Sequence, residues 1–199
     1  MMNESDIKFH SKFLSLVLRH KPEIIGLNLS KNGWANVFEL LDCLERHGHN
    51  INFDELKDIV EKNDKKRFAF NEDNLLIRAS QGHSIADIDL QLAEQKPPEI
   101  LYHGTSSLFL ESIRKNGLTP QSRNHVHFSI LLATAYTVAM RHTRYNGSPI
   151  VLDINTEQMY KDGFVFFLSA NGVWLTKEVP PKYLSDALIT AVQRKKNEI

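Results

Sequence analysis

The chain has 199 residues, 42% hydrophobic and 24% charged, a composition typical of one mid-sized or two small globular domains. Its 24 Lys and Arg residues balance its 24 Asp and Glu residues, which excludes strong bulk attraction to nucleic acid. The single cysteine, Cys43, excludes an internal disulfide and a cysteine-rich metal site. Without a long apolar run or a leader pattern, the sequence predicts a cytoplasmic protein that does not enter a membrane.

The first ninety residues have the pattern of three helices followed by a hairpin. Ser11 is a plausible N-cap of the first helix, which Pro22 ends, and Asn52 and Glu55 form a capping box at the third. Helices are predicted at residues 11–20, 37–48 and 52–63, and strands at 67–70 and 75–78. This order is typical of a winged-helix module. We assign residues 1–93 to such a module and predict that it is an RNA-binding lobe.

A proline-containing linker is predicted at residues 94–99, because two adjacent prolines cannot lie inside a helix. Residues 100–199 then form a second lobe of short strands and small helices. Strands are predicted at 100–102, 125–129, 150–154, 164–168 and 173–175, and helices at 108–116, 131–141 and 156–160. Residues 182–194 have no clear pattern, and 194–199 are predicted to be a solvated, frayed end.

The stretch 101–129 contains the candidate chemistry of the second lobe. His103, Gly104, Thr105 and Ser106 follow a strand, so the glycine lets backbone approach a ligand while its neighbours offer hydrogen bonds to sugar hydroxyls. A histidine before a glycine is also common in turns and cores. The chain has neither the GxGxxG nor the GxxxxGK[ST] nucleotide-binding pattern.

Five motifs in a fixed order give the chain a family resemblance. They are LRHKP at 18–22, DKKRF at 64–68, IRASQGHS at 77–84, the stretch 101–129, and NGVWLT at 171–176. Together they resemble the catalytic domain of NAD-dependent RNA 2'-phosphotransferases, which remove splice-junction 2'-phosphates from tRNA. The resemblance covers about residues 11–185. It implies an α+β fold, with the winged-helix lobe followed by an ADP-ribosyltransferase-like lobe.

The resemblance implies a catalytic tetrad of Arg19, His20, Arg67 and Arg123. Guanidinium groups suit a 2'-phosphate because they bind its oxygens in pairs and stay charged. Arg19 and His20 could instead simply complement the dipole at a helix C-terminus. Arg78 and Arg141 compete with Arg123 for the last place. With two arginines in the first lobe and Arg123 in the second, the active site is expected in the cleft between the lobes.

The same resemblance implies that NAD is consumed as a co-substrate in the second lobe. Its predicted binding residues are His103, Gly104, Thr105, Ser106, His127, Ser129, Gly172 and Val173. Many ADP-ribosyltransferases use a glutamate late in the domain, and Val173 stands where that acid is expected. His125 and His127 alternate along one strand, but with no acidic or cysteine partner nearby we predict no metal site.

The predicted reaction transfers an RNA 2'-phosphate to NAD through an ADP-ribosylated RNA. Its products are RNA with a 2'-hydroxyl, nicotinamide and ADP-ribose 1'',2''-cyclic phosphate. The predicted partner is a tRNA-like RNA with a 2'-phosphate, bound by a monomer. Two alternatives remain open, namely an ADP-ribosyltransferase that caps phosphorylated RNA or DNA ends, and an RNA-binding module with a degenerate NAD domain.

Overall fold

A computed structural model describes residues 2–63, 65–143, 147–185 and 189–190. These residues form six α-helices and three three-stranded sheets, so the protein is of mixed α and β class. The chain divides into two compact units. The first comprises the chain up to Leu92 together with Ser122–Asn124, and the second comprises Ala93–Gln121 and the chain from His125 onward. None of the helices in the described ranges is long and apolar enough to cross a bilayer.

The first unit contains three helices, as predicted. They are α1 (Glu4–Arg19), α2 (Val37–Arg46) and α3 (Phe53–Glu61). The capping box of α3 is confirmed, since Asn52 accepts from the Glu55 amide and Glu55 accepts from the Asn52 amide. The prediction of Ser11 as N-cap of α1 is wrong. Asn3 caps α1 two turns earlier, and Ser11 is buried in the middle of the helix, where its hydroxyl accepts from Asn63 Nδ2 at 2.8 Å.

The predicted hairpin is confirmed as the antiparallel pair β2 (Phe68–Phe70) and β3 (Leu76–Ala79). A two-residue strand, β1 (Ala35–Asn36), adds to the other edge of β3 and was too short to be predicted. The helices and this sheet enclose one apolar core. Its most deeply buried members include Leu14, Leu18, Leu40, Leu44, Leu56, Ile59 and Ile77.

The second unit contains two three-stranded sheets and three helices. One sheet has the order β4 (Ile100–Ser106), β6 (Pro149–Asn155), β9 (Ile189–Thr190), and the other has β5 (Val126–Phe128), β8 (Trp174–Thr176), β7 (Phe167–Leu168). The helices are α4 (Leu110–Asn116), α5 (Leu132–Ala139) and α6 (Thr156–Lys161). Leu101, Phe128, Ile154 and Phe166 are among the fully buried residues of this unit's separate core.

The predicted end of the first strand at residue 102 is wrong. Strand β4 continues through His103 to Ser106, because it pairs with β6 in antiparallel register along its whole length. The strand predicted at 164–168 is also too long, since only Phe167–Leu168 pairs with β8.

Residues 94–99, predicted to be a linker, are hydrogen-bonded to the second unit, although most of them are exposed. Glu94 pairs with Phe167, Gln95 donates to the Phe166 carbonyl, and Thr156 Oγ1 donates to the Pro98 carbonyl. Parts of the sequence discussed above lie outside the described ranges, namely Asp64 of the motif at 64–68, residues 186–188 and the tail 191–199.

Candidate active site

The C-terminal end of α1 places Arg19 beside two further arginines. Its Nη2 donates to the Arg67 carbonyl at 3.5 Å, and its buried Nε has no hydrogen-bond partner among the described residues. Burial and, after it, the positive charges of Arg67 and Arg123 lower the pKa of Arg19 to about 10. Arg19 therefore remains charged at neutral pH although its environment opposes that charge.

Arg67 directly precedes β2 and is oriented by two polar residues of the first unit. Its Nη1 lies 3.5 Å from Ser11 Oγ and 3.4 Å from Asn63 Oδ1. Asn63 and Ser11 are themselves joined and buried, so they hold a fixed position. This arrangement explains why a serine occupies the buried middle of α1, where sequence periodicity alone suggested a cap.

Arg123 belongs to the first unit, whereas the sequence analysis placed it in the second lobe. The segment Ser122–Asn124 is held there by hydrogen bonds of Asn124 to the carbonyls of His83, Ile85 and Ile88. The Arg123 side chain is exposed, but enough protein surrounds the guanidinium to lower its pKa through desolvation. Within the described ranges, neither Arg19 nor Arg123 forms an ion pair with a carboxylate.

His20 follows Arg19 at the C-cap of α1, where its amide donates to the Leu16 carbonyl. Its Nδ1 lies 2.9 Å from Ser84 Oγ, and the Ser84 amide donates to the Arg19 carbonyl at 3.0 Å. Burial, then the charges of Arg19 and Arg123, lower the His20 pKa. The imidazole is therefore neutral at neutral pH and able to accept a proton.

The three candidates for the last arginine of the tetrad occupy different environments. Arg78 lies over the Trp34 ring at 4.4 Å and donates to the Leu90 carbonyl. Arg141 is exposed in a 3-10 turn of the second unit. Of the three, Arg123 alone contributes to the lowered pKa of both Arg19 and His20. This electrostatic influence on Arg19 and His20 favours Arg123.

His83, from the motif at residues 77–84, is only 3% exposed. Its Nε2 is buried without a hydrogen-bond partner among the described residues. Burial, and next the charges of Arg19, His20 and Arg78, lower its pKa to about 4. His83 is thus a neutral core residue beneath the cluster. No sequence pattern indicated the burial of His83 or the contact between Ser84 and His20.

We expect acid to destabilise the protein through His83. Its pKa is about 4 in the native state against 6.5 in the reference state, so between these values the unfolded chain binds the extra proton. The contribution of His83 to the free energy of unfolding should be fully present above pH 6.5. It should decrease as the pH falls toward 4, by roughly 3 kcal/mol at most. Urea unfolding at several pH values measures the slope of the unfolding free energy against pH. His83→Gln should flatten it, and an unchanged slope in that variant would exclude His83 as the cause.

In the second unit, His103 lies on β4 and His127 on β5, strands of different sheets that meet at the bridge between Tyr102 and Ser129. His103 Nδ1 is 2.9 Å from the His127 carbonyl oxygen, and its ring lies edge-on to Phe128. Because a carbonyl oxygen only accepts, His103 Nδ1 carries a proton and donates it to this hydrogen bond. No group of three or more metal-binding side chains occurs within the described ranges.

The other residues predicted to bind NAD have structural roles within the second unit. Thr105 and Ser106 are buried, Ser106 Oγ caps the following turn, and Ser129 exchanges two backbone hydrogen bonds with Tyr102. Gly172 has φ +76° in the turn before β8. The Val173 amide donates to Ser169 Oγ, and the Val173 carbonyl accepts from the Ser169 amide. The contacts that Val173 was predicted to offer a ligand are therefore already engaged.

Comparison with known proteins identifies the family. Residues 4–178 match the family described as RNA 2'-phosphotransferase, Tpt1 / KptA family. The chain belongs to this family. It is 55% identical to a protein of Flavobacterium johnsoniae over 92% of this chain and 98% of that protein. It is also 51% identical to a protein of Fusobacterium nucleatum over 91% of this chain and 98% of that protein. Both relatives bear the name probable RNA 2'-phosphotransferase.

The resemblance inferred from the five motifs is thereby confirmed. The matched span includes all four predicted tetrad residues and all eight residues predicted to bind NAD. Membership of this family supports the conclusion that the protein is an enzyme that removes a 2'-phosphate from RNA.

Proposed function

We propose that the protein removes an internal 2'-phosphate from RNA by transferring it to NAD, with Arg19, His20, Arg67 and Arg123 as its catalytic residues. The observation that carries the proposal is the gathering of three guanidinium groups and one neutral imidazole in the first unit. Burial and, after it, the nearby charges of Arg67 and Arg123 disfavour the charged form of Arg19 and lower its pKa. A multiply charged anion relieves that cost, and a 2'-phosphate carries nearly two negative charges.

In the first step, a 2'-phosphate oxygen attacks the ribose carbon that bears nicotinamide. A phosphate–carbon ester bond forms, the glycosidic carbon–nitrogen bond breaks, and nicotinamide leaves with the bonding electrons. The nucleophile is already an anion, so no general base is required. This agrees with the absence of an acid at residues 171–176, where many ADP-ribosyltransferases have a glutamate. The arginines orient the phosphate for this attack.

In the second step, the ribose 2''-hydroxyl attacks phosphorus, and the bond between phosphorus and the RNA 2'-oxygen breaks. Charge collects on the pentacoordinate phosphoryl group, which guanidinium donors stabilise. The attacking hydroxyl loses one proton and the leaving RNA oxygen gains one. His20, neutral because its pKa is lowered, takes the first proton and returns it to the second oxygen. Ser84 holds His20 Nδ1, so Nε2 is the nitrogen assigned to the transfer.

His103 is the residue of the second unit best suited to hold NAD. Its tautomer is set by the His127 carbonyl, so Nε2 accepts a hydrogen bond from a donor such as a ribose hydroxyl. His127, Ser129 and Gly172 remain proposed neighbours of the same ligand. For Gly104, Thr105, Ser106 and Val173 we propose a supporting role, because their atoms are engaged in packing and backbone contacts.

The test is to incubate the purified protein with a short RNA carrying one internal 2'-phosphate, with and without NAD. The proposal predicts NAD-dependent loss of the phosphate, with equimolar release of nicotinamide and ADP-ribose 1'',2''-cyclic phosphate. The matched substrate control is the same RNA with a 2'-hydroxyl. Arg141→Ala should remain active, which separates Arg141 from Arg123 as the fourth tetrad residue.

Two other outcomes would overturn the proposal. Stable ADP-ribosylated RNA as the end product of the unmodified protein would indicate a transferase that caps phosphorylated ends. RNA binding without any consumption of NAD would indicate an RNA-binding module. Either result would leave the structural description of the arginine cluster unchanged.

A further inference from the structure

One loop of the first unit holds three of the four tetrad residues in place. The loop comprises residues 83–88, and we call it the 83–88 loop. Its Ser84 amide donates to the Arg19 carbonyl, and its Ser84 hydroxyl contacts His20 Nδ1. Three of its backbone carbonyls accept hydrogen bonds from Asn124, the neighbour of Arg123.

Asn124 makes three hydrogen bonds to the 83–88 loop. Its amide donates to the His83 carbonyl at 3.0 Å, and its Nδ2 donates to the carbonyls of Ile85 at 2.9 Å and Ile88 at 3.4 Å. One primary amide thus satisfies two carbonyls at once. Serine, threonine and aspartate of similar size cannot do this, because they lack two side-chain N–H donors.

Arg123 itself has few restraints. Its side chain is exposed, and within the described ranges it has no ion pair with a carboxylate. It is also distant in sequence from Arg19 and Arg67, so no regular helix or strand fixes the three together. The position of its guanidinium therefore depends on the backbone of Ser122–Asn124, which Asn124 fastens.

We propose that Asn124 is a positioning residue, which holds Arg123 beside Arg19 and His20 by fastening the segment Ser122–Asn124 to the 83–88 loop. The inference rests on the proposed function, which places the substrate phosphate at Arg19, His20 and Arg123. Asn124 does not touch the substrate. Its effect on phosphate binding passes through Arg123, and that route is testable because it predicts that the two residues are not independent.

The experiment is a double-mutant cycle on binding, without NAD. The probe is a short labelled RNA with one internal 2'-phosphate, compared with the same RNA bearing a 2'-hydroxyl. In the presence of Arg123, Asn124→Ala should weaken the phosphate-dependent part of binding roughly tenfold. In an Arg123→Ala background, it should cause no further loss. Asn124→Asp, which keeps the size but loses both donors, should match Asn124→Ala, and Ser122→Ala in the same segment should bind normally.

Equal losses in both backgrounds, or no loss in either, would overturn the proposal. So would a parallel drop in thermal stability that accounts for the weaker binding. With NAD present, the Asn124 variants should slow the second step, in which ADP-ribosylated RNA loses its phosphate, by the same factor of about ten. This slowing should occur only when Arg123 is present, and not in the Arg123→Ala background. If the unmodified protein binds the phosphorylated RNA but consumes no NAD, the proposed function fails while the binding cycle still decides the role of Asn124.

Discussion

Arg123→Ala is expected to leave an enzyme that consumes NAD but accumulates ADP-ribosylated RNA. The first step forms a bond from an anion that is already nucleophilic, and Arg19 and Arg67 remain to orient it. The second step builds up charge on phosphorus, so the loss of one guanidinium acts mainly there. Removal of one preorganised donor of this kind costs about 10²–10³-fold in rate. We expect a loss of that size in the second step and a smaller one in the first.

Single-turnover kinetics with RNA carrying one 2'-phosphate would resolve the two steps, with the intermediate separated by gel electrophoresis. Arg123→Lys keeps the charge but loses the paired donors, so it should fall between the wild type and Arg123→Ala. The matched control is Arg46→Ala. Arg46 is an exposed arginine of the same unit whose Nη2 is already paired with Asp42 at 2.7 Å.

The proposed division of labour fails if Arg123→Ala slows both steps equally, or if product is lost without any intermediate. In the first case Arg123 would act in binding the phosphate throughout the reaction. In the second, the cluster would be needed for attack on NAD as well. Equal loss in Arg46→Ala would mean that removal of any positive charge from the first unit weakens RNA binding.

Local sequence patterns predicted most of the secondary structure but not the spatial grouping of the site. The capping box at Asn52 and the hairpin 68–79 depend on neighbouring residues alone, and both are present. Ser11 was misread because a buried serine in a helix and an N-cap serine look identical in sequence. What distinguishes them is Asn63, 52 residues away, which hydrogen-bonds the Ser11 hydroxyl.

The assignment of Arg123 to a lobe shows a second limit of sequence reasoning. The chain is continuous from β4 to β5, so a residue between them was placed with the second lobe. Its neighbour Asn124 instead bonds to carbonyls 36 to 41 residues earlier, and this decides the unit. Backbone carbonyls occur at every residue and leave no mark in sequence. The motif resemblance nevertheless named Arg67 and Arg123, the two arginines whose charges contribute to the lowered pKa of Arg19.

Gly104→Ala is expected to destabilise the second unit severely. Helix α5 packs so closely on β4 that a Cβ at Gly104 would lie 2.0 Å from the Ala135 carbonyl oxygen and 2.7 Å from the Ala139 nitrogen. Both are backbone atoms, which a rotamer change cannot move aside. Ala135 and Ala139 are themselves buried, so the strand–helix contact is built from small residues throughout. Relief requires that α5 shift as a whole, and we expect a loss of about 4 kcal/mol or more in unfolding free energy.

Gly104 has two explanations, close approach of a ligand, as its place in the sequence suggests, and close packing of α5, and this substitution separates them. A ligand role predicts a stable variant with weak NAD binding, whereas helix packing predicts loss of stability without any ligand. Gly163→Ala is the matched control, because its φ of +91° makes alanine strained but nothing lies within 4 Å of the added Cβ. It should cost about 1 kcal/mol. Urea unfolding of both variants without NAD measures the difference, and comparable losses would mean that α5 yields easily to the added methyl group.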